Sequence, residues 1–412
     1  MNLTPQYVRP VIPRGLPLTL AFGLAIATFG LAIATPLQAN PLLEGTLLFD
    51  ARLRMESVDD AGFNRDASAL TLRTRLGWKT ANFHGFHAVI EAEDVRALDS
   101  SYNSTANGRV GFPVVVDPEG SEWDQAYLGW DSGQGTLIQA GRQRLAYDNQ
   151  RFIGNVGWRQ NEQTFDALSI RTQINSEWQL QYAWLDQVHR IFGNQHPNPL
   201  QAENDLDAHL LNGTWKGDIG SFTGYAYLIE NQDLPTQSAR TLGLRHQRTL
   251  PITEGREWWY AAEYATQQGW RRAPSTGSVG YFNAEAGLRL SGHGLRIGFE
   301  QLASNGRRAF QTPLATGHAF NGWADRFLTT PANGLNDLHL KVDGPLGKCR
   351  YLVAAHRFDA DRGSADYGTE FNAQIAWPFA TGWNALAKYA DYRSDGFGQD
   401  VRKLWLSVEY KY

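Results

Sequence analysis

The chain is short of the residues that mark several common protein classes. It has one cysteine, Cys349, and two methionines in 412 residues. A single thiol excludes an internal disulfide framework, and it reads as a small buried or lipid-facing residue, not a nucleophile. Acids outnumber bases, 42 to 38, for a net charge of −4, which argues against nucleic acid as a partner. After Asn40 no apolar run is long enough for a membrane-spanning helix. No Gly-x-Ser-x-Gly or His-Glu-x-x-His occurs, the ten histidines are scattered, and His189 with His196 makes a poor ligand pair. The sequence therefore supplies no catalytic motif and points to no metal and no cofactor.

The first 39 residues differ from the rest. Arg9 and Arg14 precede a mostly apolar run over 16–34, and the tetrapeptide PLQA precedes Asn40. A charged start, an apolar middle and a small residue at the cut predict a signal peptide over 1–39, although Leu37 is an unusual residue three positions back from Asn40. A retained membrane helix is the alternative; the Gly, Thr and Pro dotted through the run speak against it. Removing two cations and no acid leaves 36 bases against 42 acids, a net charge of −6 for residues 40–412.

What the chain has in quantity is aromatic residues, 14 Trp, 16 Tyr and 20 Phe, and 41 glycines. The aromatics sit in segments that alternate. In ALTLRTRLGWK (69–79), Leu70, Leu72, Leu76 and Trp78 fall on one parity and Arg73, Arg75 and Lys79 on the other. Eighteen segments with this period of two run from residue 43 to residue 412, an even count. After the first segment the connections alternate long and short. The short ones include 79–82, 132–134, 175–177, 217–220 and 378–382; the long ones include 95–121, 145–164, 188–204 and 304–335. A β-sandwich gives no reason for loop length to follow parity. An all-β, transmembrane, antiparallel up-and-down barrel of about 18 strands does, with short periplasmic turns and long extracellular loops.

That fold assigns the arginines. Leucines facing water with arginines in hydrocarbon would cost roughly 2–4 kcal/mol per arginine near the midplane, so the cations face inward. Assigning every strand by its apolar parity places Arg52, Arg54, Arg73, Arg75, Arg142, Arg144, Arg171, Arg245, Arg289 and Arg296 in a water-filled lumen. Asp50, Glu56, Glu91, Glu93, Glu285 and Glu300 join them, with the cations leading. On the last strand Leu404, Leu406, Val408, Tyr410 and Tyr412 point out, and Lys403, Ser407, Glu409 and Lys411 point in. Two readings of the arginines stand: they pair across strands and stiffen the wall, or their surplus attracts an anionic solute, as rings of Arg or Lys do in anion pores.

The loops at 95–121 and 304–335 are long enough to fold inward, and loops of that length are usually functional. Two stretches rich in aromatic and charged residues, GRQRLAYDNQRFIGNVGWRQNEQTFDAL (141–168) and GHAFNGWADRFLTTPANGLNDL (317–338), predict packed structures at the outer mouth. Trp158, Phe165, Phe320 and Trp323 are their natural anchors.

These two stretches resemble the alginate-export family of outer-membrane porins. The resemblance rests on Gly-Arg-Gln-Arg with Trp-Arg-Gln in the first and His-x-Phe-x-Gly-Trp-x-Asp with Thr-Thr-Pro-Ala-Asn-Gly in the second. It implies a monomer in the Gram-negative outer membrane with an electropositive, arginine-lined pore that passes a uronate polysaccharide, and it leaves room for periplasmic export partners. The arginines of 141–144 and of 69–79 are the positions it carries over. One departure matters. The family's exporter has a long gating turn on the periplasmic side near its C-terminal end, whereas 378–382 here is five residues, which leaves a small anionic solute or another glycan open as the cargo. An outer-membrane enzyme and a purely structural barrel are the rival classes; the first needs a constellation that no motif announces, the second a lumen closed by matched ion pairs.

Overall fold

The computed structural model describes residues 44–412, and the expected leader over 1–39 lies outside them. Eighteen strands are present among the described residues. The first six are β1 (Gly45–Asp60), β2 (Ala67–Thr80), β3 (Phe86–Ser101), β4 (Gly120–Asp131), β5 (Thr136–Gln143) and β6 (Thr164–Gln173). The next six are β7 (Trp178–His189), β8 (Glu203–Gly217), β9 (Gly220–Asn231), β10 (Ala239–Thr253), β11 (Arg256–Gly269) and β12 (Ser278–Leu290). The last are β13 (His293–Leu302), β14 (Leu335–Leu346), β15 (Cys349–Asp359), β16 (Asp366–Ala380), β17 (Trp383–Ser394) and β18 (Val401–Lys411). Each strand pairs antiparallel with its chain neighbours, and β18 pairs back onto β1, so the sheet closes and leaves no free edge.

The register explains the alternation. Leu53 of β1 lies between Leu72 of β2 and Val408 of β18, while Arg52 lies between Arg73 and Glu409. One row is wholly apolar and the next wholly charged. Leu76, Leu404, Leu406 and Val408 are exposed on the outer wall, and Arg73 and Arg75 are buried inside. A period of two leaves only two faces to choose between, and bulges such as those between Leu70 and Thr71 and between Glu91 and Ala92 interrupt the rule locally.

Connections on one end of the barrel are two to five residues long, such as 218–219 between β8 and β9 and 81–85 between β2 and β3. Gly382 closes the β16–β17 turn at φ +76°, and a Cβ there would meet the Lys411 carbonyl at 2.5 Å; only glycine fits. Outward aromatic side chains crowd this end. Trp383 packs on Tyr410 with ring centroids 4.9 Å apart, Phe222 stacks on His246, and Trp258 stacks on Tyr260. That is an interfacial girdle of an outer-membrane barrel, and the short turns beside it mark the periplasmic rim. The opposite end carries the long connections 102–119, 144–163, 190–202 and 303–334.

The lipid-facing row makes a direct prediction. Leu72→Arg should destabilise the barrel in vesicles by about 2–4 kcal/mol, and Leu76→Arg, nearer the rim, by less. Denaturant unfolding followed by tryptophan emission reads both; equal and negligible effects would mean that this row does not face lipid.

Candidate transport pathway

The interior is filled from the outer end. Residues 144–163 turn into the barrel and reach the middle of β1 and β2. There Gln160 donates through its amide to the Thr71 carbonyl at 3.2 Å and to Thr71 Oγ1 at 2.9 Å. Arg52 donates to Gln160 Oε1 at 2.9 Å and to the Gly157 and Trp158 carbonyls at 3.1 and 3.2 Å. Arg54 donates to the Trp158 carbonyl and to Asp117, which comes in from the 102–119 loop. The 303–334 loop follows the same path, and its Leu314 forms a parallel bridge with Ile153. Both long stretches therefore lie within the barrel as a plug and not at the outer mouth, and Arg52, Arg54, Arg73 and Arg75 meet protein and not open water. Val156 adopts φ +52° in this plug, a conformation that a β-branched residue holds only where its surroundings fix it. Here its N–H donates to Thr316 Oγ1 at 3.1 Å and its carbonyl accepts from the Arg159 N–H.

Charge holds the plug in place. Glu162 lies between Arg75 of the wall and Arg144 just past the end of β5, accepting from Arg75 Nη1 and, at 2.6 Å, from Arg144 Nε. Those arginines also pair with Glu93, Glu91 and Asp124 on β3 and β4. Burial pushes the Glu162 carboxyl up, but the Arg75 and Arg144 guanidiniums outweigh it and bring it down to about 2. A second chain of contacts runs across the plug. Arg159 bridges Glu56 at 3.1 Å and Asp325 at 2.8 Å; Asp325 also takes Lys403 and His318 Nδ1. Burial pushes His318 down to about 3, so the ring is neutral, with Nδ1–H donating to Asp325 and Nε2 accepting from Lys388 at 2.8 Å. Trp158 stacks on His318 at 4.5 Å with its edge against Trp405, and Lys388 Nζ sits 3.7 Å from the centre of the Trp323 ring. Of the expected anchors, Trp158, Trp323 and Phe320, which takes Arg151 over its ring, lie in the plug, whereas Phe165 is part of β6 in the wall. Trp405 is on the inward parity of β18 and fully buried. It was not among the inward residues expected of that strand.

Set against the expected lining, the ten arginines divide. Arg52, Arg54, Arg73, Arg75 and Arg144 hold the plug or the acids beneath it; Arg73 pairs with Asp50 and Glu409. Around them Asp50, Glu56, Glu91, Glu93, Asp117, Asp124, Glu162, Asp325 and Glu409 outnumber the cations they meet, so the expected cationic surplus is absent at this level. Arg142 is bidentate to Asp166, which also takes His189. Arg245 pairs with Glu263 at 3.2 Å, Arg296 reaches Glu285 only at 3.8 Å, and Arg289 meets Glu257 near the periplasmic rim. Arg171 is exposed and makes no ion pair among the described residues.

Two basins flank the 317–323 segment of the plug. The outer one, about 450 Å³, is bounded by the extracellular loops, with Arg190 and Arg308 beside Gln163, Gln237, Gln267 and Gln311. Neither arginine has a carboxylate partner among the described residues: Arg190 lies over the Phe192 ring and Arg308 donates to Gln267 Oε1 at 2.9 Å. Burial without a counter-charge lowers both guanidiniums from their ordinary range. The inner basin, about 250 Å³, lies against β10 and β12–β15 and is lined by Arg245, Arg296 and Lys341 with Glu285, Glu300 and Asp337. Reading the strands alone missed Arg190 and Arg308, because they sit on loops and belong to no alternating segment.

The Glu162 clamp can be tested by mutation and by pH. Removing one partner of a buried ion pair costs about 3–5 kcal/mol, so Glu162→Ala should loosen the plug and raise single-channel conductance while the barrel stays closed. Because the folded carboxyl is depressed below its ordinary value, its stabilisation is complete above about 4.5, declines as pH falls and is gone below about 2. Wild-type conductance should therefore rise as pH is lowered through that window, and a trace flat across it in both proteins would remove Glu162 from the clamp.

Solved structures share this architecture. OccAB2 of Acinetobacter baumannii superposes with a TM-score of 0.70 at 14% identity, covering 91% of this chain and 99% of its own. OpdO of Pseudomonas aeruginosa gives 0.68 at 14%, covering 90% and 98%, and OpdL of the same organism 0.65 at 17%, covering 90% and 99%. These are outer-membrane porins, and at such identities the likeness is one of fold. No curated protein is similar enough to count as a relative. The profile described as alginate export matches residues 45–331, well over half of the chain. A closed eighteen-stranded barrel with a lipid-facing apolar row, a periplasmic aromatic girdle and that match together make the protein a Gram-negative outer-membrane channel that belongs to the alginate export family.

Proposed function

We propose that the channel passes small anionic solutes, monomeric carboxylates or short uronate oligomers, down their gradient across the outer membrane. The observation that carries this reading is the placement of the cations left without close acids. Arg190 and Arg308 stand at the outer basin, Lys341 at the inner one beside Arg296, whose Glu285 partner is no closer than 3.8 Å, and Arg171 on the exposed inner wall below. The five plug arginines, by contrast, are occupied. A planar guanidinium takes a carboxylate in two parallel hydrogen bonds, and the flanking glutamine amides suit the hydroxyls of a sugar acid. Arg142, Arg245 and Arg289 serve in this scheme as secondary contacts along the wall, loosened from their acids as an anion passes.

A second reading, passage of an alginate-like polyuronate, is favoured by the family match over 45–331. It requires the plug to move aside, because a polymer needs a continuous wide track. Periplasmic export partners belong to this reading alone.

Planar-bilayer recording separates the two. The reversal potential under a salt gradient should indicate anion preference, and monomeric uronate should block the current. In Arg190→Ala with Arg308→Ala, the block should weaken by at least about tenfold, since a hydrogen bond to a charged group contributes about 1.5–3 kcal/mol. Block by long oligomannuronate but not by the monomer would favour the polymer reading. Cation preference, or a silent barrel, would defeat both.

A further inference from the structure

On the wall of the inner basin, β14 and β15 bring together three side chains that no linear motif connects. Asp337 and His339 share the inward face of β14, and the register sets His356 of β15 opposite His339. All three are more than nine-tenths buried, and all three line the basin. His356 Nδ1 lies 2.9 Å from Asp337 Oδ1, and His339 Nδ1 lies 3.8 Å from the same oxygen. One ligand atom from each residue falls within 4.8 Å of the others. Ligands about 2.0–2.1 Å from a tetrahedral zinc ion stand roughly 3.3 Å apart, so the spacing is that of atoms able to share one cation.

The hydrogen bonding points the same way. Glu285 Oε1 lies 3.1 Å from His339 Nε2, whereas His339 Nδ1, buried and turned toward Asp337, has no hydrogen-bond partner. A core histidine kept only for packing would have that nitrogen bonded or exposed. A carboxylate on the far nitrogen with the near nitrogen left open is the arrangement that orients a metal-ligating imidazole. The second Asp337 oxygen takes Asn321 Nδ2 at 3.2 Å, which fixes the carboxylate from the plug side. A simple His–Asp pair would account for His356 but not for His339.

We propose that Asp337, His339 and His356 form a divalent transition-metal site in the channel wall, with Zn²⁺ the best fit. Glu285 is its positioning residue, and the fourth coordination position faces the inner basin. Two imidazoles and one carboxylate favour zinc over calcium or magnesium, which take oxygen ligands. A bound ion would add two positive charges beside Arg296 and Lys341, and its open position could hold water or a solute carboxylate. This goes beyond the channel's cargo and does not depend on it. The sequence indicated no metal, because the two histidines lie on different strands and only the register joins them.

The test uses the full barrel, folded in detergent, purified without a polyhistidine tag and stripped with EDTA. Titration with Co²⁺ should give one equivalent with a visible d–d band, displaced by Zn²⁺. His339→Ala and His356→Ala should each abolish the band, and Glu285→Gln should weaken binding about 10–100-fold. Heat-modifiable migration on electrophoresis reports in each variant whether the barrel is closed. X-ray absorption of the Zn²⁺-loaded wild type needs no variant and should show two imidazoles. Folded wild type that binds neither ion, binding unmoved by a folded His339→Ala, or an oxygen-only shell would each overturn the site.

Discussion

A guanidinium taken out of water must find its counter-charge and its acceptors inside the protein, and that constraint organises this barrel. β1 and β2 place Arg52 directly opposite Arg73, with Arg54 and Arg75 on the same inward rows. Buried charge carries a desolvation penalty of several kcal/mol per ion unless pairing and hydrogen bonds offset it. Neighbouring strands supply Asp50, Glu93 and Glu409, but cross-strand carboxylates alone do not fill the five donors of each arginine. The loops supply further partners to Arg52, Arg54 and Arg75. The carbonyls of Gly157 and Trp158, the Gln160 amide, and the carboxylates of Asp117 and Glu162 all come from outside the wall. The plug is the counter-ion of the barrel, and the arginines expected to attract solute mostly attract their own chain.

The division of labour between cations follows. Those within reach of plug and wall acids are fixed, and they confer rigidity. Those beyond that reach, on the outer loops and lower on the wall, are the ones the proposed anion passage relies on. Position relative to the plug separates the two groups, since both consist largely of inward-facing arginines. The same logic extends to β14 and β15, where Asp337 is shared between two histidines and leaves one imidazole nitrogen unused.

Much of the architecture was legible because a strand in a membrane barrel has two faces in two different solvents. Leu53, Leu72 and Val408 against Arg52, Arg73 and Glu409 is a pattern that only one register satisfies, and all eighteen strands were found from it. Strand ends were less legible: β3 runs on to Ser101 and β10 to Thr253, beyond the points where the alternation weakens. Trp405 was harder still. It shares the inward parity of Lys403 and Ser407, but its partners Trp158 and His318 come from loops distant in sequence.

The sequence by itself determined the barrel, its strand number, the inward face of each arginine and the sidedness of the loops, because each follows from local alternation and the spacing of turns. Tertiary structure alone decided that the 144–163 and 303–334 loops enter the lumen, which arginines they neutralise, and that Arg190 and Arg308 have no carboxylate partner among the described residues. It also decided that His339 and His356 face each other across Asp337. Those outcomes depend on distances between segments far apart in the chain, and no period along the sequence encodes them.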